Sequence, residues 1–556
     1  VALFFPLALP ALELSKEIAR MPKAQRPTPA QVQAAAAEQG AWEQHQEQVW
    51  ERVEPELKEW AMKGKPYLPR AMFPTDLPQA AVPAFPGAEG AGRFSFGGRG
   101  GRVFVVTNLA DEGTGTFREA CEAAGPRVVV FNTAGLIRLK SPIHVVAPYI
   151  TIAGQTAPGD GVCVAGYSTM IDTHDVVIRY MRFRRGATNL FDRDDCLGGN
   201  PIGNIIVDHC SASWGLDENL SMYRHVYHSK KGGEDLKLPT INITLQWCVS
   251  SEALNTYNHS FGGTWGGCNS SFHHNLFACN TGRNPSIGMS YDFNYINNVL
   301  FNWRHRTVDG GDQGSRVNCI NNYYKPGLAT QSNAVKYRIG LPAGSTFKPD
   351  RTVRFGKWYA AGNVVEGNKA VTVDNWAGGV QVKERVDAEM LEAPDNDTGS
   401  RALLERVRAS EPFPMAPVTT QSASEALDLV LAKAGATLPR RDAVDARVIE
   451  MVRTGKVSYA AGNGIITDIN QVGGYPEYQG GPDASVGADG IPLWWKQKYL
   501  LDSSDAVLAA RDVKGDGYTV LEKYLNGLDP TKRIDWSNPA SNRNELSADK
   551  FRADGR

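Results

Sequence analysis

Net charge is what this sequence lacks most: 59 Lys and Arg residues against 60 Asp and Glu leave a formal charge of −1 over 556 residues. Nucleic acid is bound through a basic field, and no basic cluster with interleaved aromatics occurs, which argues against that class of partner. Long apolar runs are scarce as well. Val1 to Leu12 (VALFFPLALPAL) is too short to span a bilayer, and no other stretch could serve as a transmembrane helix. The run reads as the end of a signal-peptide core without its basic start, pointing to a secreted or periplasmic protein; the other reading is a buried N-terminal segment. The eight cysteines contain no CxxC and no regular framework, so they define no compartment.

What is present is a short string that keeps returning: VDHC, LQWC, FHHN, YINN, CINN and AAGN, ending at Cys210, Cys248, Asn275, Asn298, Asn322 and Asn363. The middle steps are 27, 23 and 24 residues, and longer steps flank polar or Gly/Pro-rich insertions. A period in this range means stacked supersecondary units. Each unit opens on alternating or β-branched residues (NIIVDH, NITLQW, DFNYINN, RVNCINN), which read as strand. Stacked, these units make a parallel β-helix. Asn tolerates left-handed backbone, and one Asn per coil can donate its amide to the next coil's amide carbonyl about 4.8 Å away. An internal Asn ladder is therefore expected. Cys210 and Cys248 occupy the same rung on preceding coils, within disulfide reach yet equally able to stack as small apolar thiols.

Four segments follow from composition and pattern. Residues 1–27 are the possible signal-peptide remnant and linker. Residues 28–83 hold an amphipathic helix, Thr28 to Trp60, with Trp42, Val49, Trp50, Val53, Leu57 and Trp60 at mostly three- and four-residue spacing, then a Pro-rich linker. The helix would pack on the main body or cap its open strand edges. Residues 84–375 carry the β-helix. Residues 376–556 read as a helical and loop extension packing back on it, with helices expected over 382–390, 400–410, 422–435 and 442–454. Asp512, Asp516, Gly517 and Glu522 echo a calcium loop, but Lys514 stands where an oxygen ligand belongs and Glu522 comes one residue early. A plain helix-packing tail is the better reading there.

The repeat also places charged residues on neighbouring coils: Asp194 and Asp195 before the VDHC unit, Asp217 and Glu218 after it, and Arg283 after FHHN. Clustered carboxylates repel unless a cation sits among them, and a hard divalent ion with oxygen ligands suits them. An Arg beside such an ion makes sense if a substrate carboxylate bridges the two, as a uronic acid would. Asp208 with His209 reads as a scaffold pair, and His273 with His274 as ladder or core residues. His225 and His228 form an HxxH, but no third zinc ligand is placed.

The order AFPGAEGAG (84–92), GGRGGRVFVVTNL, ITIAGQTAPGDG, VVIRYMRFR, IIVDHCSASW, GGTWGG, HHN, RNP and INNYYKPG resembles bacterial pectate lyases of polysaccharide lyase family 1 over roughly residues 84–365. The resemblance implies a right-handed parallel β-helix and Ca²⁺-dependent β-elimination on α-1,4-linked polygalacturonate by a monomeric enzyme of pectin degradation. Carried over by motif, Asp195, thirteen residues before Asp208, and Asp217 match calcium ligands. Arg283 in RNP matches the arginine proposed as the base, and His259 falls where many members place a substrate-binding Lys. Arg193 and Ser221 stand where further acidic ligands are common, leaving Asp194 and Glu218 to compensate. Gly288 replaces a second Arg. The alternatives are a lyase on methylated pectin or another uronan, a hydrolase using Asp194 and Asp195 as paired carboxylates, and a non-catalytic glycan-binding β-helix. The NTDG and GHG strings of β-helix polygalacturonases are missing.

Overall fold

A computed structural model describes residues 28–188, 193–228, 233–256, 259–347, 352–386, 389–392 and 398–551; the apolar run from Val1 to Leu12 lies outside them. The repeats wind into a parallel β-helix with three faces. On the first face, Gly203–Asp208 pairs in parallel with His174–Arg179 on one side and Ile241–Gln246 on the other, and the same pattern runs from Arg102–Val106 to Lys357–Ala361. Because side chains alternate along a strand, one residue in two points inward. Val129, Ile152, Ile178, Val207, Leu245, Phe272, Tyr295 and Cys319 lie in successive register and are buried in one continuous core.

A second sheet of nine described strands runs from Gly135–Arg138 to Val364–Val365. The third face begins with Ile143–Val145, Thr169–Ile171 and Leu197–Gly199. It continues through single bridges, Leu197 to Leu220, Glu218 to Phe261 and Phe261 to Gly282, and then through Thr264–His273, Ser286–Ser290, Val308–Gly310 and Gly340–Pro342.

The expected ladder is present at the bend between the first two sheets. Asn298 Oδ1 accepts from the Asn275 backbone N–H and side-chain amide, both at 2.9 Å, and Asn322 and Asn363 repeat the arrangement. Asn375 ends the column by accepting from Asn363. The residue before each rung holds left-handed backbone, with Tyr180, His209, Trp247, His274, Asn297 and Asn321 all between φ 50° and 56°. Four of these rings stack outside the coil, with Trp247 and His274 centroids 4.1 Å apart. Cys210 and Cys248 are buried free thiols, not a disulfide.

Two of the three faces are covered. Backbone amides of Ala91, Gly92 and Gly98 donate to the outward Ser271, Thr244 and Thr151 hydroxyls of the first sheet, and Ile491, Trp495 and Tyr524 pack on Val128, Val130 and Ala153 farther along. Helices Ala423–Lys433 and Ala443–Thr454, capped by Ser422 and Asp442, lay Val430, Val448 and Val452 on Val249, Leu276 and Val299 of the second sheet. Arg184, fully buried on that sheet, holds Asp442 and Asp445 at 2.8 Å.

The helix Pro29–Met62 starts with a Thr28–Gln31 capping box and buries Val49, Val53 and Leu57 against Ala124, Val146 and Ala147 on the flank of the early coils. The short helix Phe117–Cys121 contributes Phe117, Ala120 and Cys121 to the core at the first coil. The stretch expected as helix over 382–390 forms instead an antiparallel pair, Lys383–Val386 with Glu389–Glu392. Nine residues are too few to sustain an isolated helix. No helix among the described residues is long and apolar enough to cross a membrane.

Two outcomes test this packing. Asn298→Ala removes an acceptor from two buried donors of Asn275 and is expected to lower stability by about 2–4 kcal/mol, read as a drop in the thermal midpoint; an unchanged midpoint would mean that the ladder is decorative. Acid should also weaken the fold in two stages. Burial holds His274 down at about 4, against an unfolded value of roughly 6.5, so the unfolded chain binds the extra proton and stability declines as pH falls between those values. Asp442 is held below the usual carboxylate range by Arg184 and Arg182 although burial opposes this. Its contribution, present above roughly pH 4, is lost on further acidification. Calorimetric midpoints that stay flat from pH 7 down to pH 3 would contradict both.

Candidate active site

On the third face the coil bends bring the sequence-derived residues together, with Asp217, His259 and Arg283 part-exposed. Asp195 lies two residues ahead of the strand Leu197–Gly199. Its backbone carbonyl accepts from Ser168 Oγ at 2.6 Å, and its carboxylate Oδ1 accepts the Glu218 backbone N–H at 3.1 Å. Asp217 and Glu218 sit on the following coil, where the backbone N–H groups of Leu216 and Asp217 donate to the Asp194 carbonyl. Glu218 is almost wholly buried. Its Oε1 accepts from Thr264 Oγ1 at 2.6 Å and contacts Arg283 Nη1, while Oε2 accepts from Thr264 N at 3.2 Å and from Ser221 Oγ.

Arg283 comes from a later coil and reaches back over both acids, with Nη1 3.7 Å from Asp217 Oδ1. Its φ of 50° is a conformation that residues other than Gly rarely adopt, and such strain, on the order of 1–3 kcal/mol, collects at functional sites. The guanidinium lies 4.4 Å from the Phe261 ring centre, with Arg306 at 4.9 Å from the same ring, a cation–π support. His259 makes an ion-pair contact with Asp217, Nδ1 to Oδ1 at 2.5 Å, and its ring leans on Phe261.

The electrostatics separate the three acids. Asp217 is held below the usual carboxylate range by His259, Arg283 and Arg193, against the effect of burial. Asp195 is pushed well above that range by burial and by the charges of Glu218, Asp217 and Asp194. Arg283 is raised by Glu218, Asp217 and Asp309, again against burial, so it is firmly cationic.

Hard oxygen donors facing one another are the chemistry a Ca²⁺ ion accepts, and the repulsion focused on Asp195 is what such an ion would relieve. To that extent the residues fit the expected metal. Among the described residues, however, no group of three acidic, imidazole or thiol side chains has metal-holding geometry. Arg283 is the cation on Glu218, and the His259 ring lies against Asp217.

Of the two proposed substitutes for missing acids, Glu218 joins the cluster, with Ser221 as its hydrogen-bond donor. Asp194 does not: its carboxylate turns to Arg185, 2.5 Å away, so it forms no facing pair with Asp195. Asp208 is a scaffold residue, bonded to His209, Arg179 and Gln246 at 2.7 to 2.8 Å. His273 and His274 are buried, Nδ1 to Nδ1 at 2.9 Å. The HxxH dissolves, with His225 buried and His228 at the surface beside Asp235. In the calcium-like loop Asp516 takes Lys523 and Glu522 takes Arg99, so both acids are satisfied without metal. Ser221, where the resemblance leads one to expect an acid, serves Glu218 as a donor; Thr264 and Phe261 are site residues that sequence reasoning did not single out, and the FGGTWGG string around them was the available signal.

No family model matches the sequence. It is 32% identical over 460 residues to the probable pectate lyase C of Aspergillus oryzae, covering 81% of this chain and 95% of that one. The probable pectate lyase C of Aspergillus fumigatus is 33% identical over 459 residues, with the same coverage. These relatives are fungal, so the bacterial part of the resemblance is not supported. Among solved structures, jun a 1, the major allergen from cedar pollen, aligns with a TM-score of 0.41 at 15% identity over 63% of this chain and 92% of that one. A pectate lyase from Bacillus sp. N165, solved with trigalacturonate, aligns with a TM-score of 0.38 at 16% identity over 62% and 98%.

Relief of the repulsion at Asp195 should be measurable. In EDTA, Asp195→Asn is expected to raise the thermal midpoint by a few degrees, since a buried like-charge contact disappears; a lower midpoint would show that the ionised carboxylate is structural.

Proposed function

Because the chain belongs to the pectate lyase family and is thus a polysaccharide lyase, we propose that it cleaves α-1,4-polygalacturonate by Ca²⁺-dependent β-elimination on its third face. The observation that carries this reading is the meeting of Arg283 with Asp217, Glu218 and Asp195 on one face, where Arg283 and Asp217 are part-exposed. Asp195, Asp217 and Glu218 would hold Ca²⁺, which when bound supplies positive charge beside a uronate carboxylate. The chain's own groups do the rest. Arg283 offers a fork to that carboxylate, and Phe261 and Glu218 keep the guanidinium on the sheet face. His259, anchored on Asp217, lies at the rim as a second contact to substrate.

Elimination removes the C5 proton and expels the C4 glycosidic oxygen, leaving a C4–C5 double bond in the new non-reducing sugar. As negative charge develops on the carboxylate, a cationic Arg283 stabilises it. Guanidinium is protonated at neutral pH, and the surrounding acids raise it further. Proton removal therefore falls either to its small neutral fraction or to hydroxide, with Arg283 as the clamp, and both routes gain rate as pH rises. A hydrolase would need two facing carboxylates, and the engagement of Asp194 with Arg185 speaks against the Asp194–Asp195 pair. A polymeric substrate also agrees with a secreted or periplasmic enzyme acting as a monomer.

The test is ultraviolet absorbance of the unsaturated product from polygalacturonate. The rate should climb toward roughly pH 9 to 10, vanish in EDTA and return with added Ca²⁺. Arg283→Ala should lower kcat by at least about a hundredfold. An acidic optimum, activity that ignores EDTA, or normal turnover in the Arg283 variant would overturn this reading.

A further inference from the structure

From Glu218 the chain runs along the third face through single bridges at Leu220 and Met222 to Tyr223 and Arg224, and there the surface has an unusual construction. A Cβ on Gly288 would meet the Tyr223 ring at 2.3 Å, and one on Gly266 would meet Tyr223 Cβ at 3.1 Å. These glycines sit on successive strands, so the tyrosine lies flat against bare backbone and fills the place where a side chain of residue 288 would stand. Its ring is half-buried, with one side packed on the sheet.

Arg224 is fixed beside it by neutral acceptors. Its Nε donates to the Tyr223 hydroxyl at 2.9 Å and its Nη1 to Asn200 Oδ1 at 3.3 Å. Among the described residues it pairs with no carboxylate, whereas Arg283, Arg306 and Arg316 on neighbouring coils all do. A guanidinium held in place, half-buried and without a counter-charge suits an anion arriving from solution, and its fork suits a carboxylate. The guanidinium carbon stands 5.1 Å from the Tyr223 ring centre, so the part-exposed ring and the cation present one surface to a sugar acid. Tyr223 lies five residues beyond Glu218, at most about 16 Å along the chain at the rise of a strand, so one chain of linked sugars can reach both places.

We infer that Tyr223 and Arg224 form a remote uronate subsite, with the ring as floor for a sugar and the guanidinium gripping its carboxylate. This rests on the reading of the protein as a polygalacturonate lyase. Arg224 touches no reacting atom, so its contribution is to binding and positioning of the polymer. It gives the enzyme a preference for unesterified stretches at a distance from the cleaved bond.

Binding measured by calorimetry without turnover tests this, using polygalacturonate and a highly methyl-esterified pectin as the two probes. Arg224→Gln should weaken polygalacturonate binding about tenfold to a hundredfold, the range for a lost charge-assisted hydrogen bond, and leave binding of the esterified pectin unchanged. Arg224→Lys should recover part of the loss. In turnover, Arg224→Gln should raise KM for polygalacturonate by a similar factor with kcat within about twofold. Unchanged polygalacturonate binding, or equal loss for both polymers, would overturn the subsite, as would a fall in kcat matching that in kcat/KM. A wild-type protein that binds polygalacturonate through Arg224 yet forms no unsaturated product would instead overturn the lyase reading and leave the subsite standing.

Discussion

Every coil of this protein must lay each residue over its counterpart, one strand spacing away, and that constraint governs the rest of the structure. Parallel pairing turns each position of the repeat into a column. Apolar positions become the row from Val129 to Cys319 in the core, and Asn positions become a ladder in which each amide answers the next. A column of like charges would be costly under the same rule. On the third face the column passes from Asp195 through Glu218 toward Arg283, and the acids are balanced only in part. The stacking that orders the scaffold thus also concentrates unrelieved charge at the site proposed for the chemistry.

Coverage decides which face can work. A β-helix presents three outer surfaces, and here the segments before and after the coils spread over two of them. The 84–101 segment and the late helices satisfy the outward hydroxyls and apolar rows of the first sheet, while the helices at 423–433 and 443–454 shield the second. The buried pair of Arg184 with Asp442 anchors the second covering to the coils, and Arg99 with Glu522 ties the 84–101 segment to the late helices of the first. Breaking one partner of such a pair leaves a buried charge without compensation. On the third face Tyr223 and Arg224 follow Glu218, on an earlier coil than Arg283.

Much of this was legible in the residues. Strand alternation and the recurring Asn specified the coils, because period-two burial and a left-handed bend leave direct marks on a sequence. Asp217, Glu218 and Arg283 follow their rungs by seven or eight residues, Asp195 precedes the VDHC rung, and His259 is implied by the family resemblance alone; the structure brings all five to one face. Asp194 and Asp195 look alike as adjacent acids in the sequence, and only the fold turns the carboxylate of Asp194 to Arg185. The 382–390 stretch looked helical because Val382, Val386 and Met390 recur at four-residue spacing, a signal too short to exclude a hairpin. Thr264 carried no charge to attract notice, and Ser221 stood out only as a missing acid, yet both hold Glu218.

By itself the sequence determined the coil repeat, the ladder and the identity of the charged residues, since these depend on local alternation and on residues that recur at one interval. Only the tertiary structure decided which carboxylate faces which cation, which faces are covered, and that the ring of Tyr223 lies where residue 288 has no side chain. Those outcomes depend on contacts between residues far apart in the chain, such as Glu218 with Arg283 or Arg184 with Asp442. Their spacing in sequence carries no period, and their meeting is fixed by the winding of the coils.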